Sequence, residues 1–206
     1  MTSIITGDII NSRKFKDQGL WMDALKLLFN EMGSQPKVWD IHRGDAFQLE
    51  VANPEKALWI ALRIKSLVKS KAGVDARMAI GIGTKDFSAV HITESNGEAF
   101  VLSGTKYDVL KTEKTNLAIA TPWADINQQL GLIVRLGLIA IDSWSRMSAE
   151  YVNLRLTHPD LNQLKVASQL GISQSSASAR HKRSYYDEVM EMELYYRELI
   201  SQKLKQ

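Results

Sequence analysis

The stretch IITGDIINSR, residues 4–13, decides how the rest of the chain is read. It opens apolar, turns polar at Thr6-Gly7-Asp8 and continues into Asn11-Ser12-Arg13. A buried strand that ends by presenting a carboxylate, then turns into a helix, has this pattern. Asp8 then stands at the mouth of a sheet, where a hard divalent cation and a phosphate can be held together. The plainer alternative is that Asp8 caps a turn. Arg43-Gly44-Asp45 bears on that choice, because it offers a second carboxylate behind a second glycine.

Downstream, Leu20–Met32 has apolar residues at helical spacing and is closed by Gly33 and Pro36. Val38–Arg43 and Ala46–Val51 read as strands. In the second, Phe47, Leu49 and Val51 alternate with Gln48 and Glu50, the period of a half-buried strand. The short Gly44-Asp45 connection is a hairpin signal. Asn53 as N-cap and Pro54 at the first position start another helix, with Ala57, Leu58, Ala61, Leu62, Ile64 and Leu67 on its apolar face. Arg77–Gly83, RMAIGIG, reads as a strand, Ala89–Thr93 as a further candidate, Ala99–Leu110 as a helix, and Leu117–Thr121 as a last strand before Pro122. The order β-α-β-β-α-β-α-β predicts an α+β fold. Residues 1–125 form a ferredoxin-like sheet domain with helices on one face.

From about Asn127 the strand signals stop, and residues 126–206 are predicted to form an all-helical domain. Leu130–Ile141 is apolar nearly all round, which predicts a helix buried on most sides, in a domain core or a subunit interface. As a run it falls short of the about 20 residues that span a bilayer. Ser145 or Ser148 caps the next helix, Leu161–Leu170 follows, and Gly171-Ile172-Ser173 is a sharp turn with Ser173 as N-cap. One long helix is predicted from about Gln174 to Lys203.

The 206 residues are 45% hydrophobic and 24% charged, as in soluble globular proteins. A net charge of +3 does not by itself identify a nucleic-acid binder. The chain has no cysteine, which excludes disulfides, thiolate zinc sites and cysteine nucleophiles. The first residues carry Asp8 inside a short apolar stretch with no basic lead-in, unlike a signal peptide. A cytoplasmic protein with no membrane attachment is expected. His42, His91, His158 and His181 are scattered, and no serine-hydrolase elbow, Walker loop or HExxH motif is present. The five tryptophans read as core or interface residues.

Two constellations carry chemistry. In the first, Asp8 and Asp45 lie at strand ends of one predicted sheet, where a pair of carboxylates with nucleotide phosphates can hold magnesium. The amides of Ile10, Asn11 and Ser12, at a helix start, would face those phosphates. DIINSR, then RGDAFQ, a helix and RMAIGIG resemble the catalytic domain of class III nucleotidyl cyclases over roughly the first 110 residues. With the helical C-terminal part, the whole chain resembles the SatD-like bacterial proteins. The resemblance implies that Asp8 and Asp45 bind a magnesium or manganese ion with a nucleoside triphosphate. It also implies nucleotide or phosphate contacts from Ile9, Ile10, Asn11, Ser12, Arg13 and Arg43. The sequence departs from the cyclase pattern at Ile41, where a base-reading lysine is usual. It departs again at Val101 and Thr105 in GEAFVLSGT, where an Asn and an Arg steady the transition state. Losing such an electrostatic clamp costs several powers of ten in rate, so little cyclase turnover is expected.

The second constellation is LKVASQLGISQSSASARHKR, residues 164–183. A small Ala167 lets two helices cross closely, Gly171 makes the turn, and Leu170 and Ile172 fill the space between helices. This order is that of a helix-turn-helix. Gln174, Ser175, Ser176 and Ser178 are placed to reach base edges of double-stranded DNA, and Arg180, Lys182 and Arg183 to meet phosphates. The alternative is an ordinary helical hairpin with a charged face. The expectation is a DNA-binding regulator, working as a homodimer, whose N-terminal part binds a nucleotide and metal or has lost that ability. An active cyclase with a helical tail and a protein-interaction module are the competing readings.

Overall fold

The computed structural model describes residues 1–12 and 19–206, so Arg13 lies outside the described residues. The elements run β1 (Thr2–Ile10), α1 (Gly19–Asn30), β2 (Trp39–His42), β3 (Ala46–Val51), α2 (Ala57–Ala72), β4 (Asp75–Gly83), α3 (Glu98–Glu113), β5 (Leu117–Ala120), α4 (Ala124–Asp142), α5 (Arg146–Thr157), α6 (Gln163–Leu170), α7 (Gln174–Arg183) and α8 (Tyr186–Leu204). The class is α+β. The five strands form one mixed sheet in the order β2-β3-β1-β4-β5. β1 pairs antiparallel with both β3 and β4, β2 with β3 is a hairpin, and β5 joins β4 in parallel through the α3 crossover.

Alternation along β1 gives the sheet two apolar faces. Ile5 and Ile9 point into the main core, whereas Ile4 packs with Ile92, Ala99 and Phe100 on the other side. α1 and α2 cover the first face, and α3 lies on β4 and β1 across the second. Helices therefore flank both faces rather than one. The reason is written in β4. Gly81 and Gly83 leave a strip without side chains, and α3 sits directly on it. A Cβ on Gly81 would stand 2.2 Å from the Ala99 carbonyl oxygen and 2.4 Å from the Ser103 nitrogen. Glycine within a strand marks this kind of close approach.

The α2 end of the sheet is tied to α4 by buried lysines. Lys65, fully buried, donates to Asp75 at 2.7 Å and lies 3.3 Å from Asp142, while Lys69 donates to the carbonyls of Ile141 and Asp142. Cations at the end of α4 satisfy its last carbonyls and complement its dipole. The free edge of β5 is partly closed by a side chain. Met78 N–H donates to the Asn116 carbonyl, which turns the backbone groups of Leu117, Ile119 and Thr121 outward. The Asn127 amide then pairs with both Thr121 N–H and Thr121 C=O at 2.7 Å, standing in for a neighbouring strand.

The apolar core continues from the sheet through α2 to α5 and α8, from Ile5 to Ile200. α5 lies on α2, and α8 runs antiparallel to α4. Trp144 donates to the Ser184 carbonyl at 2.8 Å, and Tyr196 to the Pro54 carbonyl at 2.6 Å. Trp21, Trp39 and Trp144 are buried, while Trp59 and Trp123 pack partly buried against the core.

Two further expectations are corrected. The expected single last helix is broken, because Ser184 is buried and Tyr185 takes a left-handed conformation (φ 50°) between α7 and α8. Ala89–Thr93 forms no strand; a one-turn 3-10 segment, Ile92–Glu94, and an isolated Phe87–Asn96 bridge hold that loop. Within one chain, the helix containing Leu130–Ile141 is buried on one face, and its exposed face is the one a subunit interface would use. Ile126, Leu130, Val134 and Ile141 face the core, while Leu132, Leu136 and Ile139 are 53%, 58% and 74% exposed. α4 is the one described helix long and apolar enough, by length and composition, to cross a membrane.

Candidate functional site

Asp8 closes the outward run of β1. It lies opposite Ala46 on β3 and opposite Arg77 on β4, so all three residues share the sheet face covered by α3. Ile9 N–H donates to the Asp45 carbonyl at 3.1 Å, which brings the hairpin turn against the end of β1. Asp8 and Asp45 thus converge on one cleft of about 350 Å³ that is also lined by Ile9, Ile10, Asn11, Ser12 and Arg77. Arg43 is exposed on the turn and does not line it. Asn11 and Arg43 both have left-handed backbones, with φ 63° and 55°. Asparagine tolerates this region, whereas arginine is strained there.

Of the three residues expected to open a phosphate-facing helix, Ile10 is instead the last of β1, Asn11 lies in a turn and Ser12 is in a 3-10 turn, after which residues 13–18 lie outside the described residues. β1 runs through Ile10, and the Ile9 amide is committed to Asp45. Ser12 is buried and donates to the Asp45 carboxylate at 2.5 Å.

The dominant partner of Asp8 is Arg77, which the sequence reading missed. Its Nε and Nη2 donate to the two carboxylate oxygens at 3.0 and 2.8 Å, a bidentate pair about one-fifth exposed on each side. The guanidinium also stacks on the Tyr107 ring of α3, 5.7 Å from its centroid. Burial alone would lower the arginine pKa; the adjoining Asp8 carboxylate more than offsets it, and the net shift is upward. Burial, then the Asp8 charge, raises the Tyr107 phenol to about 12. A second α3 residue fixes the register. Thr6 and Ser103 hydroxyls meet at 3.0 Å, two strand residues from Asp8 and four helix residues from Tyr107. Two residues of strand advance about 6.7 Å and four of helix about 6 Å, so both pairs stay in step.

Chemically, the seat for positive charge beside Asp8 is filled by a guanidinium, and Asp45 is held by a hydroxyl. No cluster of three or more acidic or histidine side chains with metal-ligand geometry occurs among the described residues. With both Asp8 oxygens engaged by Arg77 and one Asp45 oxygen by Ser12, a divalent ion at this pair has to compete with the guanidinium. Arg77 was findable in principle, because a charged residue inside an otherwise apolar strand needs a partner. Tyr107 left no such signal.

The second set of residues sits on α6 and α7. Asn162 caps α6 through the Lys165 amide, and Ser173 caps α7 through the Ser176 amide. Between them Gly171 takes the left-handed conformation (φ 64°) that closes a helix. Ala167 and Ala177 are buried, and Leu170 and Ile172 pack partly buried against the core. Gln174, Ser175 and Ser176 are exposed at the front of α7, and Ser178 is half-buried. The basic residues divide. Lys182 and Arg183 are exposed and have no ion pair among the described residues, whereas Arg180 is held by Glu150 at 2.6 Å. His181, one of the four scattered histidines, lies between the Tyr151 hydroxyl (3.1 Å) and the Asp187 carboxylate (2.8 Å), pinning α7 to α5 and α8. Burial raises the Tyr151 phenol pKa, which keeps it protonated in that chain.

No family model matches the chain, no curated protein is detectably similar to it, and no solved structure matches it.

Proposed function

We propose that the chain is a double-stranded-DNA-binding regulator of the cytoplasm, with α6 and α7 as a helix-turn-helix and the sheet as the platform that carries it. The observation behind this reading is the surface of α7. Its capped, exposed front of Gln174, Ser175 and Ser176 leads into exposed Lys182 and Arg183, which have no ion pair among the described residues. Residues 161–185 contain four Lys or Arg and no Asp or Glu. Short polar side chains ahead of unpaired cations suit base edges and phosphates in that order. The platform reading is supported by the strand order and by Arg77 filling the cation seat at Asp8. That order is compatible with a ferredoxin-like sheet extended by β5.

The test is a salt titration of binding to genomic duplex fragments. Lys182→Ala with Arg183→Ala is expected to weaken all duplexes and to flatten the log–log salt slope by about 0.9 for each phosphate no longer neutralised, close to 2 per bound copy. Gln174→Ala with Ser176→Ala is expected to change sequence preference instead. Binding no tighter than that of an equally basic control protein at low salt refutes the reading.

A second reading is favoured by one observation, the convergence of Asp8 and Asp45 on a common cleft. In it, the cleft takes a nucleoside triphosphate with magnesium or manganese after Arg77 swings off Asp8. Thermal stabilisation by ATP or GTP with either metal, abolished in Asp45→Asn, is the expected mark of that reading. No shift in melting temperature at millimolar nucleotide sets it aside.

A further inference from the structure

α4 presents an apolar stripe that none of the described residues covers. Leu132, Leu136 and Ile139 recur at i, i+4 and i+7, opposite the buried Leu130, Val134 and Ile141. This is the spacing of a helix–helix seam. Gly131 sits beside the stripe with open space where its Cβ would be, a hole for a facing side chain. α8 continues the surface. The Tyr195 hydroxyl donates to Gln129 at 3.0 Å, and Tyr195 remains 40% exposed. Together these side chains expose on the order of 450 Å² of mostly apolar surface, at the scale of a functional patch. That is about half of the roughly 800 Å² per partner of a standard interface, leaving the remainder for a polar rim.

The rim chooses the partner. Arg135 is the only charged residue on α4 between Asp125 and Asp142, and among the described residues its guanidinium donates to its own helix, to the Gly131 carbonyl at 3.1 Å. The neighbouring edge of α8 carries Glu188 and Glu191, both exposed and without an ion pair among the described residues. Because α8 runs antiparallel beside α4, these acids lie along the half of the stripe that contains Leu136 and Ile139. A surface with one uncompensated cation and two uncompensated anions on adjoining helices is complementary to itself across a two-fold axis. We infer that α4 and the adjoining edge of α8 form an isologous interface with a second copy of this chain, apolar at Leu132, Leu136 and Ile139, with Arg135 of each copy facing Glu188 and Glu191 of the other. The inference does not rest on the DNA-binding reading, although a pair of α7 helices would serve it.

The experiment is sedimentation velocity of the full chain across a concentration series without nucleic acid. A dimer is expected at micromolar concentration, with Leu136→Lys raising the dissociation constant at least tenfold, as for a central apolar anchor. Arg135→Glu is expected to weaken the dimer, and the double variant R135E/E191R to restore it, which a merely misfolded variant could not do. The chain has no cysteine, so Leu136→Cys gives a clean crosslink. Oxidation is expected to trap a covalent dimer, whereas Leu164→Cys, equally exposed on α6, is not expected to. A chain that stays monomeric at roughly 100 µM, or a dimer indifferent to both Leu136→Lys and Arg135→Glu, overturns the inference. So does a monomer that sediments with anionic lipid vesicles through the same stripe, which would assign α4 to a membrane surface.

Discussion

Gly81→Ala tests whether α3 rests on the bare strip of β4 as closely as the fold requires. The added methyl would stand 2.2 Å from the Ala99 carbonyl oxygen and 2.9 Å from the Ser103 Cα. Both are backbone atoms, so no side-chain rotation relieves the clash, and α3 has to withdraw by about 1 Å. Overpacking a well-packed contact costs about 1–3 kcal/mol. A clash against backbone belongs at the upper end of that range, because α3 also carries the buried Ala99, Phe100, Ser103 and Leu110 away from the sheet. The same substitution at Gly104, on the same helix, meets nothing within 4 Å. There the only change is helix propensity, which favours alanine by about 1 kcal/mol. Urea unfolding at one fixed protein concentration is therefore expected to give opposite signs, with Gly81→Ala less stable by about 3 kcal/mol and Gly104→Ala more stable by up to about 1 kcal/mol. Equal midpoints for Gly81→Ala and the parent chain, with unchanged m-values, would refute the packing of α3 on β4.

Tyr196→Phe removes a buried hydroxyl and its 2.6 Å bond to the Pro54 carbonyl, which keeps the Ala57 amide as a donor; a loss of about 1 kcal/mol is expected by the same unfolding assay. The Tyr107 phenol is raised to about 12 by burial and by Asp8, so in the unfolded chain it ionises first, at its ordinary value near 10. Its contribution to stability is fully present below pH about 10 and is lost between about 10 and 12; ultraviolet titration should show that loss shrinking in Tyr107→Phe. Arg180 is spent on Glu150, so Arg180→Ala is expected to change the DNA salt slope less than Lys182→Ala does; equal changes would mean that the pair opens on binding.

Strands were the legible part of this chain because a half-buried strand writes its own period. Ala46–Val51 was bounded to the residue, and the Asn53 cap with Pro54 located the start of the α2 region, although a 3-10 turn precedes the α-helix there. The side of the sheet taken by α3 was not legible from α3 itself. Its buried residues, Ala99, Phe100, Ser103 and Leu110, form no continuous apolar stripe, and its closest approach to the sheet is backbone on glycine. The signal lay in its partner, in the alternating glycines of RMAIGIG, which share one face of β4. α4 left its two alternatives, domain core or subunit interface, open for a different reason. Apolar composition reports only that a surface avoids water, and it does not distinguish the core of one chain from a seam between two.

The candidate sites divide along the same line. Which carboxylates meet is a matter of topology, and the element order carried enough of it to bring Asp8 and Asp45 to one cleft. What occupies those carboxylates depends on register across β4 and on the phase of α3, and neither can be counted from sequence when the loops between them vary in length. Arg77 faces Asp8 because nine residues of β4 pair in a fixed register with β1, and a slip by one residue would turn its guanidinium to the opposite face. The same holds on α7. Arg180, Lys182 and Arg183 look alike in a string, but a helix advances about 100° per residue and sends them to different surroundings. Arg180 turns toward Glu150 of α5, and the other two remain in solvent, where a phosphate can reach them.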